Sequence, residues 1–378
     1  MIAVAEESQR RRWDAWMERA LGLAALADGC TSPNPLVGAL VLDAYGGLVG
    51  EGFHAAAGRP HAEVGALAQA GERARGGTLV VTLEPCCHHG RTPPCSEAVI
   101  AAGIRRVIVA MEDPDPRVAG AGIARLQAAG LEVLVGVREL RAHALNAAFC
   151  HRVRSGRPLG VLKWAMSVDG RTALPNGASQ WISGPQARGW VHRLRARCDA
   201  VIVGGGTVRA DDPLLTSRGL RPIEPLRVVI SRGLLLPERA QLWDQGPAAT
   251  LVVHGPEAPG ERRRRLDAGG VERLELSRCE PRQLLEALAV RGCNQVLWEC
   301  GPELAAAAMH QGCVQRIAAV VAPKVLGGSP ARTPVGDLQL TSMAMAPLWR
   351  ERRLSRSGAD LIWDLSVPEP MSGSEPAP

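Results

Sequence analysis

His61-Ala62-Glu63 and, after one apolar run, Pro85-Cys86-Cys87-His88-His89-Gly90-Arg91-Thr92-Pro93-Pro94-Cys95 are the residues on which the reading of this chain turns. The first piece sets an imidazole and a carboxylate two residues apart. The second sets thiol groups directly after a proline and again at Cys95. A zinc site that performs hydrolysis needs three protein ligands and one open position for water. It also needs a proton carrier that is not itself a ligand. His61 and the thiolates meet the first need, and Glu63 meets the second. A purely structural zinc would have no use for Glu63.

Outward from this stretch, strands and helices alternate. Leu79 to Leu83 is a short apolar run that reads as a buried strand and delivers Glu84-Pro85-Cys86. A helix from His61, apolar at Val64, Leu67 and Ala68, should end near Gly76-Gly77. That puts His61 and Glu63 in its first turn, at the positive end of the helix dipole. A second helix can begin near Pro94-Cys95, because proline suits a first helical turn. Upstream, Val37 to Leu42 and Leu48 to Phe53 flank Tyr45-Gly46-Gly47 as a β-hairpin. Residues 11 to 28 carry apolar side chains at helical spacing and should stop near Gly29. Between them, Ser32-Pro33-Asn34-Pro35 is forced into extended geometry, which displays the Asn34 amide on a stiff loop. Downstream come a strand at Val107 to Met111, a helix from about Ala121 and a strand at Leu131 to Val135. The class is therefore α/β.

The chain has 378 residues, a natural length for two domains, and a net charge of +6. Its basic residues are nearly all arginine, spread along the chain with acids interleaved, which argues weakly for nucleic acid and equally well for a phosphate-bearing small molecule. No apolar run approaches the roughly 18 residues of a membrane span. The start runs into Glu6, Glu7 and Arg10-Arg11-Arg12 with no apolar segment after the charges, so a cytoplasmic location is expected. Ten cysteines, mostly scattered singly, do not read as a disulfide framework.

Zinc-dependent nucleobase deaminases carry His-x-Glu followed by Pro-Cys-x-x-Cys. Here eight residues separate Cys86 from Cys95. From the residues alone, Cys87, His88 and His89 compete with Cys95 for the third ligand place.

A polar break at Arg152-Val153-Arg154-Ser155-Gly156-Arg157-Pro158 marks a boundary: domain one over 1–150, a linker over 151–158, and domain two over 159–366. The second domain opens with a strand at Leu159 to Ala165. It lacks Gly-x-Gly-x-x-Gly after that strand, so no Rossmann fingerprint is available. It does carry Gly204-Gly205-Gly206-Thr207 after the apolar run Ala200 to Val203, where a backbone can approach a phosphate closely. A second such place is Trp298-Glu299-Cys300-Gly301-Pro302-Glu303-Leu304, a strand meeting a helix N-terminus. Two such sites together favour a nucleotide cofactor. The tail, 367–378, is rich in Pro, Ser and Glu and reads as disordered.

Asn34-Pro35-x-Val37-Gly38, Pro60-His61-Ala62-Glu63-Val64, Thr82-Leu83-Glu84-Pro85-Cys86 and His88-His89-Gly90-Arg91-Thr92-Pro93-Pro94-Cys95 resemble the deaminase domain of the bifunctional riboflavin-biosynthesis deaminase-reductases. Ser167 to Ala173, Ser179-Gln180-Trp181-Ile182-Ser183, Val208 to Thr216 and Glu299-x-Gly301-Pro302 resemble that family's reductase domain. The resemblance spans roughly residues 11 to 366. It implies a cytidine-deaminase-like α/β/α domain followed by a dihydrofolate-reductase-like α/β domain. It implies one Zn2+ on His61, Cys86 and Cys95, with Glu63 as the catalytic proton carrier, and it demotes Cys87. Asn34 and His54 would line the pyrimidine pocket, and Arg91 is a phosphate or base contact on charge alone. In the second domain NADPH would meet Ala165, Trp181, Thr207, Asp211, Ser231 and the run Gly301, Pro302, Glu303, Leu304, Ala305, Ala306, Ala307. Substrate would meet Ser179, Arg195, Leu215, Arg218 and Glu299, with the two arginines suited to a ribose phosphate.

The expected function is thus a two-step one: zinc-dependent hydrolytic deamination of 2,5-diamino-6-(5-phosphoribosylamino)pyrimidin-4(3H)-one, then NADPH-dependent reduction of the ribosyl group of 5-amino-6-(5-phosphoribosylamino)uracil to ribityl. The partners would be small phosphoribosylaminopyrimidines rather than nucleic acid or membrane, with a homo-oligomer allowed. The alternative is a nucleic-acid-editing deaminase with an accessory domain. It predicts aromatic stacking platforms for bases and leaves the second half without a task.

Overall fold

The computed structural model describes residues 2–87, 93–116, 118–330 and 332–368, with side chains of the first helix from Arg12 onward. His88, His89, Arg91 and most of the expected disordered tail lie outside the described residues. The chain divides into two compact units, Met1–Gly156 and Arg157–Pro378.

The first unit runs α1 (Ile2–Ala25), β1 (Gly38–Leu42), β2 (Leu48–Phe53), α2 (Ala62–Ala70), β3 (Thr78–Val81), α3 (Cys95–Ala101), β4 (Arg106–Val109), α4 (Ala121–Ala128), β5 (Glu132–Val135), α5 (Glu139–Leu145) and α6 (Ala147–Ser155). Its sheet has the order β2-β1-β3-β4-β5. The expected hairpin β1–β2 is antiparallel, and β3, β4 and β5 are parallel, as crossover helices require. Side chains alternate across this sheet with period two. Leu40, Leu42, Val80 and Ile108 face a core shared with Trp13 and Met17 of α1. Ala39, Val41, Leu79, Val81, Val107 and Val109 face a second core with Ala62 and Ala66 of α2. The result is a three-layer α/β/α sandwich. Close seating of α2 depends on Gly50, where a Cβ would stand 2.1 Å from the Ala66 carbonyl oxygen.

Three boundaries depart from the sequence reading. α1 starts at Ile2 rather than near residue 11. α2 ends at Ala70, not near Gly76-Gly77, because Gly71 takes a left-handed φ of 55° and a short 3-10 turn follows. The polar stretch expected as a linker continues as helix to Ser155, and Gly156 caps it with a φ of 70°.

The second unit runs β6 (Leu159–Ser167), α7 (Pro185–Ala196), β7 (Ala200–Gly204), α8 (Gly205–Asp211), β8 (Leu226–Ile230), β9 (Thr250–His254), α9 (Gly260–Ala268), β10 (Glu272–Glu275), α10 (Pro281–Val290), β11 (Gln295–Trp298), α11 (Pro302–His310), β12 (Arg316–Ala322), β13 (Arg350–Ser357) and β14 (Asp360–Ser366). The sheet order is β10-β9-β8-β7-β11-β6-β12-β14-β13. Strands β10 to β12 in that order pair in parallel, and β14 and β13 close the edge as an antiparallel hairpin. The chain steps outward from β6 through β7 to β10, then returns to insert β11 between β7 and β6. Ligands of open α/β sheets collect at such a reversal, outside the carboxyl ends of the strands. Trp298 of β11 is fully buried in the core and donates its Nε1–H to the Cys313 carbonyl at 3.1 Å.

Candidate active sites

In the first unit, two helix N-termini and one turn converge. His61 is the residue preceding α2, Glu63 lies in its first turn, and Cys95 begins α3 after Pro94. Cys86 comes from the turn leaving β3. His61 Nδ1 lies 3.1 Å from Cys95 Sγ and 3.7 Å from Cys86 Sγ. The Cys95 backbone N–H donates to Cys86 Sγ at 3.3 Å. The three ligand atoms lie within 4.8 Å of one another. Cys87 does not belong to this group.

The electrostatics suit a soft dication. The Cys95 side chain and the His61 imidazole outweigh burial and pull Cys86 down to about 4, so it stands as thiolate. The same pairing, with burial and Glu63 added, pushes Cys95 far up. A metal ion taking the place of that shared proton relieves both. One imidazole nitrogen and two sulfurs fit zinc. Glu63 is buried at 4% exposure against Cys95, and burial lifts its carboxyl to about 7.

Asn34 and His54 are brought to the same place. Asn34 Nδ2 lies 3.0 Å from His54 Nε2, and His54 Nδ1 lies 3.1 Å from the Pro60 carbonyl. Burial lowers the His54 pKa. Its ring then meets His61 edge-on at 5.5 Å. The stiff loop carrying Asn34 is anchored from behind, where Asn146 accepts from the Leu36 N–H at 2.8 Å and donates to its carbonyl at 2.9 Å.

Sequence reasoning missed Glu84. Its buried carboxylate accepts backbone N–H bonds from Asp113, Gly120, Gly122 and Ile123 at 2.8 to 3.1 Å. This fastens the turn that carries Cys86 to the start of α4. The partners are far away in sequence and offer only backbone, so no motif announces them.

In the second unit a cleft of about 1640 Å³ opens at the carboxyl ends of β6, β7, β8 and β11. It is lined by Ala165, Ser179, Trp181, Arg195, Thr207, Asp211, Leu215, Arg218, Glu299, Gly301, Pro302, Glu303, Leu304 and Ala307. Ser231, Ala305 and Ala306 do not line it. Ser231 sits behind Gly205, and Ala305 and Ala306 turn into the core. Gly204 ends β7 and Gly205 begins α8, a strand-to-helix junction rather than a free turn.

Arg195 lines the cleft already paired. Its fork is engaged by Glu299, with Nε–Oε1 at 2.6 Å and Nη2–Oε2 at 3.1 Å, while Nη1 donates to the Thr216 carbonyl at 3.0 Å. Lys163 Nζ adds a contact to Glu299 at 3.6 Å. Burial would raise Glu299, but Arg195 and Lys163 overcome it and hold the carboxyl at about 2. Arg218, also on the cleft wall, is exposed with a φ of 58°, and Arg188, Arg209 and Arg232 line the cleft with it. Ser179 Oγ donates to Asp211 at 3.3 Å, joining a residue expected to meet substrate to one expected to meet cofactor.

Comparison with known proteins gives the same division. Residues 11–111 match the family described as cytidine and deoxycytidylate deaminase zinc-binding region, and residues 158–363 match the RibD C-terminal domain. The riboflavin biosynthesis protein RibD of Synechocystis sp. is 51% identical over 330 residues, covering 87% of this chain and 89% of its own length. The Escherichia coli RibD is 41% identical over 366 residues, covering 93% and 98%. The solved structure of Acinetobacter baumannii RibD superposes with a TM-score of 0.86 at 38% identity, covering 95% of this chain and 99% of that one. A Thermotoga maritima structure described as a diaminohydroxyphosphoribosylaminopyrimidine deaminase/5-amino-6-(5-phosphoribosylamino)uracil reductase gives a TM-score of 0.85 at 32% identity, covering 95% and 100%.

Proposed function

The chain belongs to the RibD family of bifunctional riboflavin-biosynthesis enzymes, a deaminase joined to a reductase, and on that premise we propose which residues carry each half-reaction. The single observation that carries the assignment is the cluster of His61, Cys86 and Cys95 ligand atoms within 4.8 Å, with the buried Glu63 against it. An editing deaminase with an accessory domain is not favoured, because the likeness to RibD runs through both halves.

The first unit deaminates the diaminopyrimidine phosphoribosyl compound. His61, Cys86 and Cys95 would hold a zinc ion, which would supply Lewis acidity toward the attacking water near neutral pH. Glu63 accepts the proton that water loses at its carboxylate and returns it to the ring nitrogen and the departing amine. Its buried position keeps that proton from bulk solvent. Asn34 and His54 hold the pyrimidine edge, the His54 tautomer being fixed by the Pro60 carbonyl.

The second unit reduces the ribosyl group of the deaminated product. NADPH supplies the hydride, and the protein contributes position and electrostatics. Gly204 to Gly206 and the Gly301–Pro302 junction give the cofactor phosphates close backbone approach. Arg209 and Arg232 line the same cleft and suit the additional phosphate of NADPH over NADH. Arg218 takes the substrate phosphate, and Ser179, Leu215 and Glu299 orient the sugar and base. No described helix is long and apolar enough to cross a membrane, and no disulfide joins any of the ten cysteines, which fits a reducing cytoplasm. A homo-oligomer is compatible with this reading.

Glu63→Gln tests the assignment. It should retain about one zinc per chain and full reduction of the deaminated substrate, while deamination falls by about 10²- to 10⁴-fold, the usual worth of a general acid–base. Retained deamination would remove Glu63 from the role.

A further inference from the structure

One titratable group on the wall of the reductase cleft has no task in the scheme above. His192 lies on α7, one turn from Arg188 and from Arg195, so the three share the face that lines the cleft. The Thr216 carbonyl sits beside its ring, and the loop bearing Thr216 also carries Arg218. The Nδ1 atom of His192 is shielded from solvent and has no hydrogen-bond partner. An atom without accessible surface is out of a ligand's reach, so a molecule in the cleft meets the other ring atoms of His192.

Resting on the reductase reading, we propose that His192 is a second phosphate-binding residue of this cleft, acting with Arg218 and becoming protonated as an anionic phosphate ester of the substrate settles beside it.

The charge arrangement around the ring supports this. From its own helix it faces Arg195, with Arg188 a turn earlier. From the loop of Thr216 it faces Arg218. From the end of β11 it faces Glu299, with Lys163 of β6 behind that carboxylate. Arg195 and Glu299 largely cancel one another through their two-pronged ion pair. What remains is positive. Burial first, then Arg195 and Arg218, lower the His192 pKa, so in the empty cleft the imidazole is neutral. A phosphate monoester carries a charge of about −1.5 to −2 near pH 7. Placed against Arg218, it reverses the sign of the local field and favours the imidazolium, whose two N–H groups are both donors. The Thr216 carbonyl already favours that form. The ring nitrogen gains an N–H bond with a proton given up by water or buffer acid, and no other covalent bond changes.

The consequence is proton uptake on phosphate binding, and affinity for the phosphate that weakens as pH rises above neutrality. The test uses ribose 5-phosphate as probe, with ribose and inorganic phosphate as controls. Binding to the full-length protein is measured by titration calorimetry in two buffers of different ionisation enthalpy. The native protein should take up a proton with ribose 5-phosphate and none with ribose. His192→Gln, which keeps a side-chain donor without a titrating group, should lose that uptake, weaken ribose 5-phosphate binding several-fold at pH 7 and flatten its pH dependence. Binding of inorganic phosphate alone with equal uptake would place recognition in the phosphate group rather than in the sugar. Unchanged uptake or unchanged affinity in His192→Gln would overturn the proposal. Thermal unfolding of the variant separates lost binding from lost fold, and His192→Asn serves if Gln does not fold. Because binding is read directly, a protein that binds and takes up a proton but never oxidises NADPH would refute the reductase reading and leave the role of His192 standing.

Discussion

Glu299→Gln perturbs the most strongly coupled charges of the second unit, and its cost can be worked from the structure. The Glu299 side chain is 9% exposed, with Arg195 at 2.6 Å and Lys163 at 3.6 Å. Folding lowers its pKa from 4.5 to about 2. At 1.36 kcal/mol per pKa step, that fall is worth about 3 kcal/mol. The sign follows from linkage. A depressed carboxyl pKa means that the unfolded chain binds more protons between the two values. The stabilisation is therefore complete above pH 4.5 and is lost as pH falls towards 2. Glutamine also leaves Arg195 and Lys163 without their anion, and breaking a buried pair in this way costs about 3–5 kcal/mol. Urea unfolding at pH 7 should show the variant about 3 kcal/mol less stable than the native protein. The gap should narrow from pH 4.5 to pH 3, because the unfolded chain's carboxyl takes up its proton there while the native one is still ionised. Reduction should weaken as well, since Arg195 loses the partner that aims it. A gap below about 1 kcal/mol, the size of an exposed ion pair, or one that does not change with pH, would refute the reasoning.

Two further outcomes concern the first unit. Cys95→Ser should bind only a small fraction of the zinc held by the native chain, measured as metal content after dialysis; full zinc occupancy would return Cys87, His88 and His89 to candidacy. Gly122→Ala should lower zinc content and deamination while reduction survives. Its Cβ would stand 2.0 Å from the Pro85 carbonyl oxygen and 3.2 Å from the Glu84 carboxylate, so the Cys86 turn must shift. Such overpacking costs about 1–3 kcal/mol, which a shifted melting transition and an ammonia-release assay will show.

The candidate metal-binding cluster and the proposed proton carrier were legible because each sits next to a local constraint. His61 and Glu63 share a first helical turn, Cys86 follows a proline, and Cys95 opens a helix after one. Period-two apolar runs and the hairpin around Tyr45-Gly46-Gly47 made the α/β class readable for the same reason. The proposed reductase contacts were suggested only through resemblance, since the cleft gathers most of those residues from β6, β7, β8, β11 and the loops between. What stayed hidden was long-range polar pairing. Glu84 binds backbone on residues 113 to 123. Arg195 gives its fork to Glu299, 104 residues away, where sequence reasoning offered it to phosphate. Arg227, fully buried on β8, spends its guanidinium on the carbonyls of Leu242, Asp244 and Ala248. No spacing rule reports such partners. Helix α6 hid its extent too, because a run of Arg and Ser reads as a linker until its apolar neighbours Phe149 and Cys150 are seen in the core.

On the proposed reading, one chain performs two ordered reactions, one in each unit. The most direct measurement incubates purified, zinc-loaded protein with the diaminopyrimidine phosphoribosyl substrate, with and without NADPH, and follows ammonia release and NADPH absorbance together. Ammonia should appear without NADPH, and NADPH oxidation should begin only after ammonia has appeared. Zinc-loaded protein that releases no ammonia, or that oxidises NADPH at once on the undeaminated substrate, would contradict that reading.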